Sequence, residues 1–329
     1  MNTLLYNILE IPSESGDCDR MIEFLTRYAA AAGWHWRLDE TGNLYVTSGE
    51  SETYPCVCAH VDTVHSIEPG GITPVEIDGL VTGINPLTMV QTGIGGDDKC
   101  GIYAALTCLR SLPVCKAAFF VDEEIGCAGS GDADMAFFAD CRFVLQADRK
   151  GRKDFVHDIN GRLSSKTFMR AVKPILATYG FRPCSGMTTD IEALRNNEIG
   201  ISVANMSAGY YNPHSRGEYI CIADLENTRN LMVQICQEMV DVYPFVFERR
   251  AVTSFSHIMP ASWLNGEKPV PPDDWGDYAD GGKRFPDYSP HGAHVAAEEV
   301  WIAEQESELE SAADRWHYRE EYVKRNGHY

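Results

Sequence analysis

The chain has 329 residues, enough for one large domain or two ordinary ones of about 150 residues each. Hydrophobic residues make up 44% and charged residues 23%, the balance of a folded globular protein, which excludes collagen-like, disordered and membrane-spanning classes. Lys and Arg number 28 against 48 Asp and Glu, a formal charge of −20 that is the wrong sign for a nucleic-acid backbone binder and suits a site that holds cations.

The N-terminal stretch MNTLLYNILEIPSESGDCDR carries Glu10 and Glu14, with no basic start and no long apolar run before a cleavage site. A cytoplasmic location is therefore expected. Eleven cysteines, an odd number without paired Cys-x-x-Cys spacings, read as reduced, mostly buried thiols. Residues 1 to 250 alternate strand-like and helix-like patterns, which predicts an α/β domain around a largely parallel sheet.

In chain order, Met21 to Ala32 has apolar residues at helical spacing, and Leu44 to Thr47 reads as a strand leaving the Gly42-Asn43 turn. Three short uncharged runs follow: Tyr54 to Ala59, Ala117 to Val121 and Phe143 to Ala147. Each has the β-prone composition of a strand buried on both faces, and Cys56 and Cys58 alternate in the first as small buried hydrophobes. Between the first two runs, Lys99 to Leu109 places Ile102, Ala105, Leu106 and Leu109 on one helical stripe. Helices are expected near Ser165 to Tyr179 and Asp190 to Asn196, a strand at Ile199 to Ala204, and a long helix near Ala223 to Val242.

From about Val252 the composition turns to Pro, Gly, Asp and Trp, so residues 251–329 read as an irregular linker followed by a helix within His294 to Lys324. Asp273, Asp274, Asp277 and Asp280 have the wrong spacing for a calcium loop and read as solvated, and His291 and His294 read as surface residues.

Ligands of open α/β sheets bind beyond the carboxyl ends of the strands. Here the three uncharged runs end in His60-Val61-Asp62, in Asp122-Glu123-Glu124 and in Asp148. Asp97 stands just ahead of a helix, and His214 lies in the loop from Ala208 to Gly217. Carboxylates that converge repel one another unless a cation balances them, so a shared location implies bound metal. A mixed histidine and carboxylate set suits zinc, with cobalt or manganese as alternatives. Two such ions about 3.5 to 4 Å apart would lower the pKa of a shared water and polarise a carbonyl oxygen.

The ordered motifs CAHVDT, GIGGDDKCG, VDEEIG, QAD and GYYNPHSRGE resemble those of the co-catalytic dizinc exopeptidases, closest to the peptidase T branch, which also includes aminoacylases and amino-acid deacylases. The resemblance covers roughly residues 1 to 245. It implies a three-layer α/β sandwich with a mostly parallel central sheet, the phosphorylase/hydrolase-like zinc peptidase fold. The catalytic domain would be residues 1–250, with residues 251–329 as a C-terminal extension. It also implies two zinc ions, one held by His60 and Asp148, the other by Glu124 and His214, with Asp97 bridging them. Glu123 would be the general base, and Asp62 would orient His60 by accepting the proton of its other ring nitrogen. A cis peptide often follows the bridging aspartate, here Asp97-Asp98.

The activity so implied is hydrolysis of short peptides by an aminopeptidase or tripeptidase. Deacylation of N-acyl amino acids needs the same metals and a different pocket. A catalytically inactive metal-binding scaffold is the third reading, and Glu123 counts against it, since a structural site needs no spare base. Members of this branch insert a lid and dimerisation domain of about a hundred residues between the positions of Asp148 and His214. Only 65 residues intervene here, so the lid is expected to be absent. That leaves the groups for the substrate carboxylate and the oxyanion unassigned, with His157, Arg162, Tyr210 and Tyr211 as candidates by position. The sequence does not specify an oligomeric state.

Overall fold

The three uncharged runs become adjacent strands, as their composition demands. The computed structural model describes residues 3–247. The boundary near residue 250, the linker and helix expected over 251–329, and the histidines and aspartates singled out there lie outside the described residues.

The chain opens with α1 (Thr3–Leu9) and α2 (Asp19–Ala31), then β1 (His35–Leu38), β2 (Leu44–Ser48) and β3 (Tyr54–His60). Next come β4 (Thr73–Ile77), β5 (Leu80–Asn85), β6 (Val90–Thr92), α3 (Gly96–Ser111), β7 (Cys115–Phe120), α4 (Ala128–Gly131), β8 (Cys141–Gln146) and β9 (Asp154–Asp158). The described chain finishes with α5 (Lys166–Tyr179), β10 (Arg182–Ser185), α6 (Asp190–Asn196), β11 (Val203–Met206), β12 (Tyr210–Tyr211), β13 (Tyr219–Cys221) and α7 (Ile222–Glu238).

Eight strands form the main sheet in the order β1-β2-β7-β3-β8-β11-β9-β10. Its centre is parallel, from β7 through β3 and β8 to β11, and the antiparallel pairs β1–β2, β2–β7 and β11–β9 flank it. Every residue of β3, β7 and β8 is buried, because helices cover both faces. Val57 and Ala59 of β3 point into a core shared with α1, α2, α3, α5 and α7. Cys56 and Cys58 point the other way, into a second core with Ile191 and Leu194 of α6 and with Phe137 and Phe138. The period of two along one strand thus feeds two apolar layers, which is the three-layer arrangement.

Several elements depart from the sequence pattern. Helix α3 is buried all round from Asp98 to Leu109, not along one stripe, since α1 and α7 both pack on it. The strand expected at Ile199 to Ala204 runs instead over Val203–Met206. Glu198 and Gly200 adopt φ of 59° and 78°, so the first half of that apolar run turns the chain out of α6. Helix α7 stops at Glu238, because Met239 leaves helical geometry with ψ of 87°. A second, five-stranded sheet of β4, β5, β6, β12 and β13 has no counterpart in the pattern reading.

The 65 residues between Asp148 and His214 are occupied by β9, α5, β10, α6, β11 and β12, so no separate lid is inserted there. No described helix is long and apolar enough to cross a membrane. All eleven cysteines are unpaired, and nine of them are buried.

Candidate metal centre

Strands β3, β7 and β8 are neighbours and parallel, so their carboxyl ends open on one edge of the sheet. His60 ends β3 and is 1% exposed. Its Nε2 faces Asp97 Oδ1 at 3.1 Å, Asp148 Oδ1 at 3.5 Å and Glu123 Oε2 at 4.0 Å. His214 reaches the same cluster from the loop between β12 and β13. Its Nε2 lies 3.1 Å from Glu124 Oε2 and 3.3 Å from Asp97 Oδ2. Asp97 therefore points one carboxylate oxygen at each histidine. All six residues named around the cations by sequence, His60, Asp97, Glu123, Glu124, Asp148 and His214, come together here.

Asp97 is placed by a break in the helix. Asp97 and Asp98 have non-helical backbone angles, their peptide bond is cis, and regular helix starts at Lys99. The Asp98 carboxylate turns away to accept the N–H groups of His60 and Gly101, tying the end of β3 to the start of α3. Among the described residues, two sets, His60/Asp98/Asp148 and His60/Asp97/Glu124, each bring their donor atoms within 4.8 Å of one another. Only the second has its carboxylates free of such backbone duty.

Asp62 lies against His60 and has a second set of partners. The Nδ1 of His60 is nearest the backbone carbonyl of Asp62, at 3.0 Å, with the carboxylate at 3.4 Å. The carboxylate also accepts the N–H groups of Glu123 and Glu124, at 3.0 and 3.2 Å, and the hydroxyl of Ser15 at 2.7 Å. It pins the turn after β7 that carries both glutamates, a turn begun by Asp122 at φ of 56°.

Asp148 is held by Thr189, whose hydroxyl donates to Oδ2 at 2.7 Å, and by Tyr210, whose hydroxyl donates to Oδ1 at 3.3 Å. Its backbone N–H donates to Asn205. Gln146 donates to the buried Asp190 at 2.8 Å. Of the positional candidates, Tyr210 thus reaches the cluster. Tyr211 turns to Asp224 and stacks on Tyr219, Arg162 is exposed, and His157 sits within β9. Thr189, Asn205 and Asp190 were not legible in the sequence, because their short polar side chains come from elements distant in sequence and carry no spacing signal.

The electrostatics point one way. Among the described residues no lysine or arginine pairs with Asp97, Glu123, Glu124 or Asp148; only the two histidines do. Burial pushes the Glu123 carboxyl up to about 9, with Asp148, Asp190 and Asp97 adding and His60 opposing. Burial and the neighbouring Asp97 raise Asp148 to about 7, and burial lifts Asp190 to about 6. Hydrogen bonds to Asp97 and Glu124 raise His214 to about 10. Burial disfavours charge on His60, but hydrogen bonds to Asp148, Asp62 and Asp97 outweigh it and raise its pKa well above the usual range. Asp97, facing both histidines, is lowered despite burial. Groups that gather protons in this manner mark a strongly negative site. The Glu124 Oε1 atom is buried without a hydrogen-bond partner. An orphaned carboxylate oxygen beside two histidines and two further carboxylates is a donor set that fits divalent cations.

Neither a family model nor a curated protein sequence matches the chain. Solved structures do match its fold. Aminopeptidase PepT from Bacillus cereus superposes with a TM-score of 0.60 at 16% identity, over 73% of this chain and 98% of that one. A tripeptidase from Staphylococcus aureus gives 0.58 at 15% identity, over 71% and 96%. A Thermotoga maritima protein described as an endoglucanase gives 0.51 at 14% identity, over 70% and 96%. The chain shares the α/β fold of these proteins, and a fold alone leaves the reaction to be argued from the site.

Proposed function

We propose that the chain is a metal-dependent peptide hydrolase of the aminopeptidase or tripeptidase type, acting on short peptides. The observation that carries this reading is the Asp97 carboxylate set between His60 and His214, with Glu123 beside it and, among the described residues, no lysine or arginine paired with the cluster. The match to aminopeptidase and tripeptidase folds supports peptides as the substrate class.

His60 and Asp148 would hold one divalent cation, Glu124 and His214 the other, and Asp97 would be shared. Zinc suits these donors, with cobalt or manganese as alternatives. Bound cations would polarise the scissile carbonyl, make water acidic and reverse the field that keeps protons on the cluster. Glu123, 13% exposed and held by its backbone on Asp62, stands ready at the cluster's edge. Its carboxylate accepts the proton of the attacking water as oxygen adds to the carbonyl carbon. The same carboxyl then delivers that proton to the amine nitrogen as the C–N bond breaks. Asp62 keeps both glutamates in register, and Thr189 and Tyr210 fix Asp148.

The test is hydrolysis by zinc- or cobalt-loaded protein of amino-acid amides, dipeptides, tripeptides and N-acetyl amino acids. Cleavage of peptides with a free amino terminus is expected. Cleavage of the N-acetyl compounds alone would replace the peptidase with a deacylase, and cleavage of none would leave a metal-binding scaffold.

A further inference from the structure

Asp97 rides on the loop Gly93-Ile94-Gly95-Gly96, and that loop is gripped from outside the cation cluster. Glu218, four residues beyond His214, has no exposed surface. Its Oε2 accepts the N–H of Gly95 at 2.8 Å, and its Oε1 accepts the N–H of Asp97 itself at 3.0 Å. Oε2 also lies 2.8 Å from Nε2 of His65, a side chain 14% exposed. The glycines mark where these groups approach. A Cβ on Gly96 would stand 2.7 Å from Tyr210 Cβ and 3.2 Å from Glu218 Oε1, and one on Gly93 would collide with the His65 ring at 2.0 Å. A buried carboxylate needs donors or countercharge. Glu218 has three donors, and the buried ammonium of Lys99 interacts with it electrostatically.

We propose that Glu218 is a positioning residue that clasps the Asp97 loop to the His214 loop and so sets the spacing of the shared carboxylate and the second histidine. The inference rests on the metal-centre reading above. Glu218 belongs to the His214 loop by sequence, and its own N–H closes a turn onto the carbonyl of Ser215. Its carboxylate holds the backbone of Asp97. One buried group thus fixes two ligands that arrive from separate elements, one of them on a side chain 52% exposed. Replacing the carboxylate by an amide keeps the volume, but one of the two oxygens becomes an NH2 that faces an N–H of Gly95 or Asp97. The clasp then opens on at least one side.

The experiment titrates cobalt into metal-free wild-type protein and into Glu218→Gln, following heat by calorimetry and cobalt visible absorption. The wild type is expected to take up two ions. Glu218→Gln should bind them about 10- to 100-fold more weakly, the range typical for groups that support metal ligands, with altered cobalt bands. His65→Ala removes one donor and leaves both backbone contacts, so it should weaken binding less, and it serves where Glu218→Gln does not fold. Unchanged cobalt affinity and spectrum in the variants, even with a lower melting temperature, would make Glu218 a structural prop and overturn the inference alone. No cobalt uptake by the wild type would overturn the metal reading itself, and the inference with it.

Discussion

The two histidines of the centre sit in opposite surroundings. His60 is 1% exposed at the end of a central strand, between two parallel neighbours that bring Glu123 and Asp148 to it. His214 is 52% exposed, on a loop between two short strands, at a φ of 60°. One half of the site is held by the sheet, the other by a loop and its clasp. The sheet half should therefore carry the chemistry and the larger share of stability, whereas the loop half should act mainly on metal retention.

The largest effect falls on the sheet half. Glu123→Ala removes the proton carrier and none of the proposed cation ligands, so turnover should drop by about 10²- to 10⁴-fold. Metal content after dialysis, read by elemental analysis, should stay at the wild-type level. Wild-type turnover in the metal-loaded variant would refute the base assignment.

Replacing each histidine tests the contrast directly. His60→Ala leaves buried carboxylates without their partner, and loss of a buried charge partner costs about 3–5 kcal/mol. His214→Ala also removes a partner of Asp97 and Glu124, but from a side chain 52% exposed, so its cost should be the smaller of the two. Both should lower metal content. Urea unfolding of the metal-free variants separates them, and equal losses of stability would erase the distinction between the halves.

The sheet half was also the legible half. Strands buried on both faces appear in sequence as short uncharged runs, and the polar residues that end them, His60, Glu123 and Asp148, stand out by contrast. The second sheet gave no such signal, because β4 and β5 mix buried with exposed residues, β6 buries none and β12 is only two residues long. Asp62 was legible as a neighbour of His60 but not as the anchor of the Glu123-Glu124 turn, since that contact spans 61 residues and depends on how β3 and β7 pair. Glu218, Thr189 and Asp190 act through buried hydrogen bonds to residues at least 41 positions away, and isolated polar residues leave no periodicity to read.

Asp62→Asn sharpens the comparison within the sheet half. An amide accepts through one oxygen, so one of the two backbone N–H groups of the glutamate turn loses its partner. A buried donor left unmade costs about 1–3 kcal/mol. Turnover should fall with it, as Glu123 loses its placement, while Ser15→Ala, which removes one donor to the same carboxylate, should do less. A melting curve and a turnover assay check both.

The shifted proton affinities of the cluster predict a pH dependence. Glu123, ordinarily near 4.5, is pushed to about 9 mainly by burial, and His214, ordinarily near 6.5, to about 10 by its hydrogen bonds to Asp97 and Glu124. The metal-free fold therefore binds more protons than the unfolded chain through these windows, so its stability falls as pH rises. Cations displace those protons. The gap in melting temperature between zinc-loaded and chelator-treated protein should widen from about pH 6 to about pH 9. A constant gap would mean that the carboxylates are balanced by something other than the metal.

The smallest effect contrasts the centre of the sheet with its edges. Cys56 and Cys58 lie in the fully buried β3, and burial pushes both thiols well above their usual range. Cys184 and Cys221, on β10 and β13, are only partly covered. A thiol reagent attacks the thiolate, so reaction requires both access and ionisation. In the folded protein Cys184 and Cys221 should label first, and the nine buried thiols should label only as fast as the protein opens. Reductant should leave the melting temperature unchanged, because no disulfide is present to break. Rapid labelling of Cys58 in the native protein would mean that β3 is accessible, and a strand open to solvent could not hold His60 in the buried cluster described above.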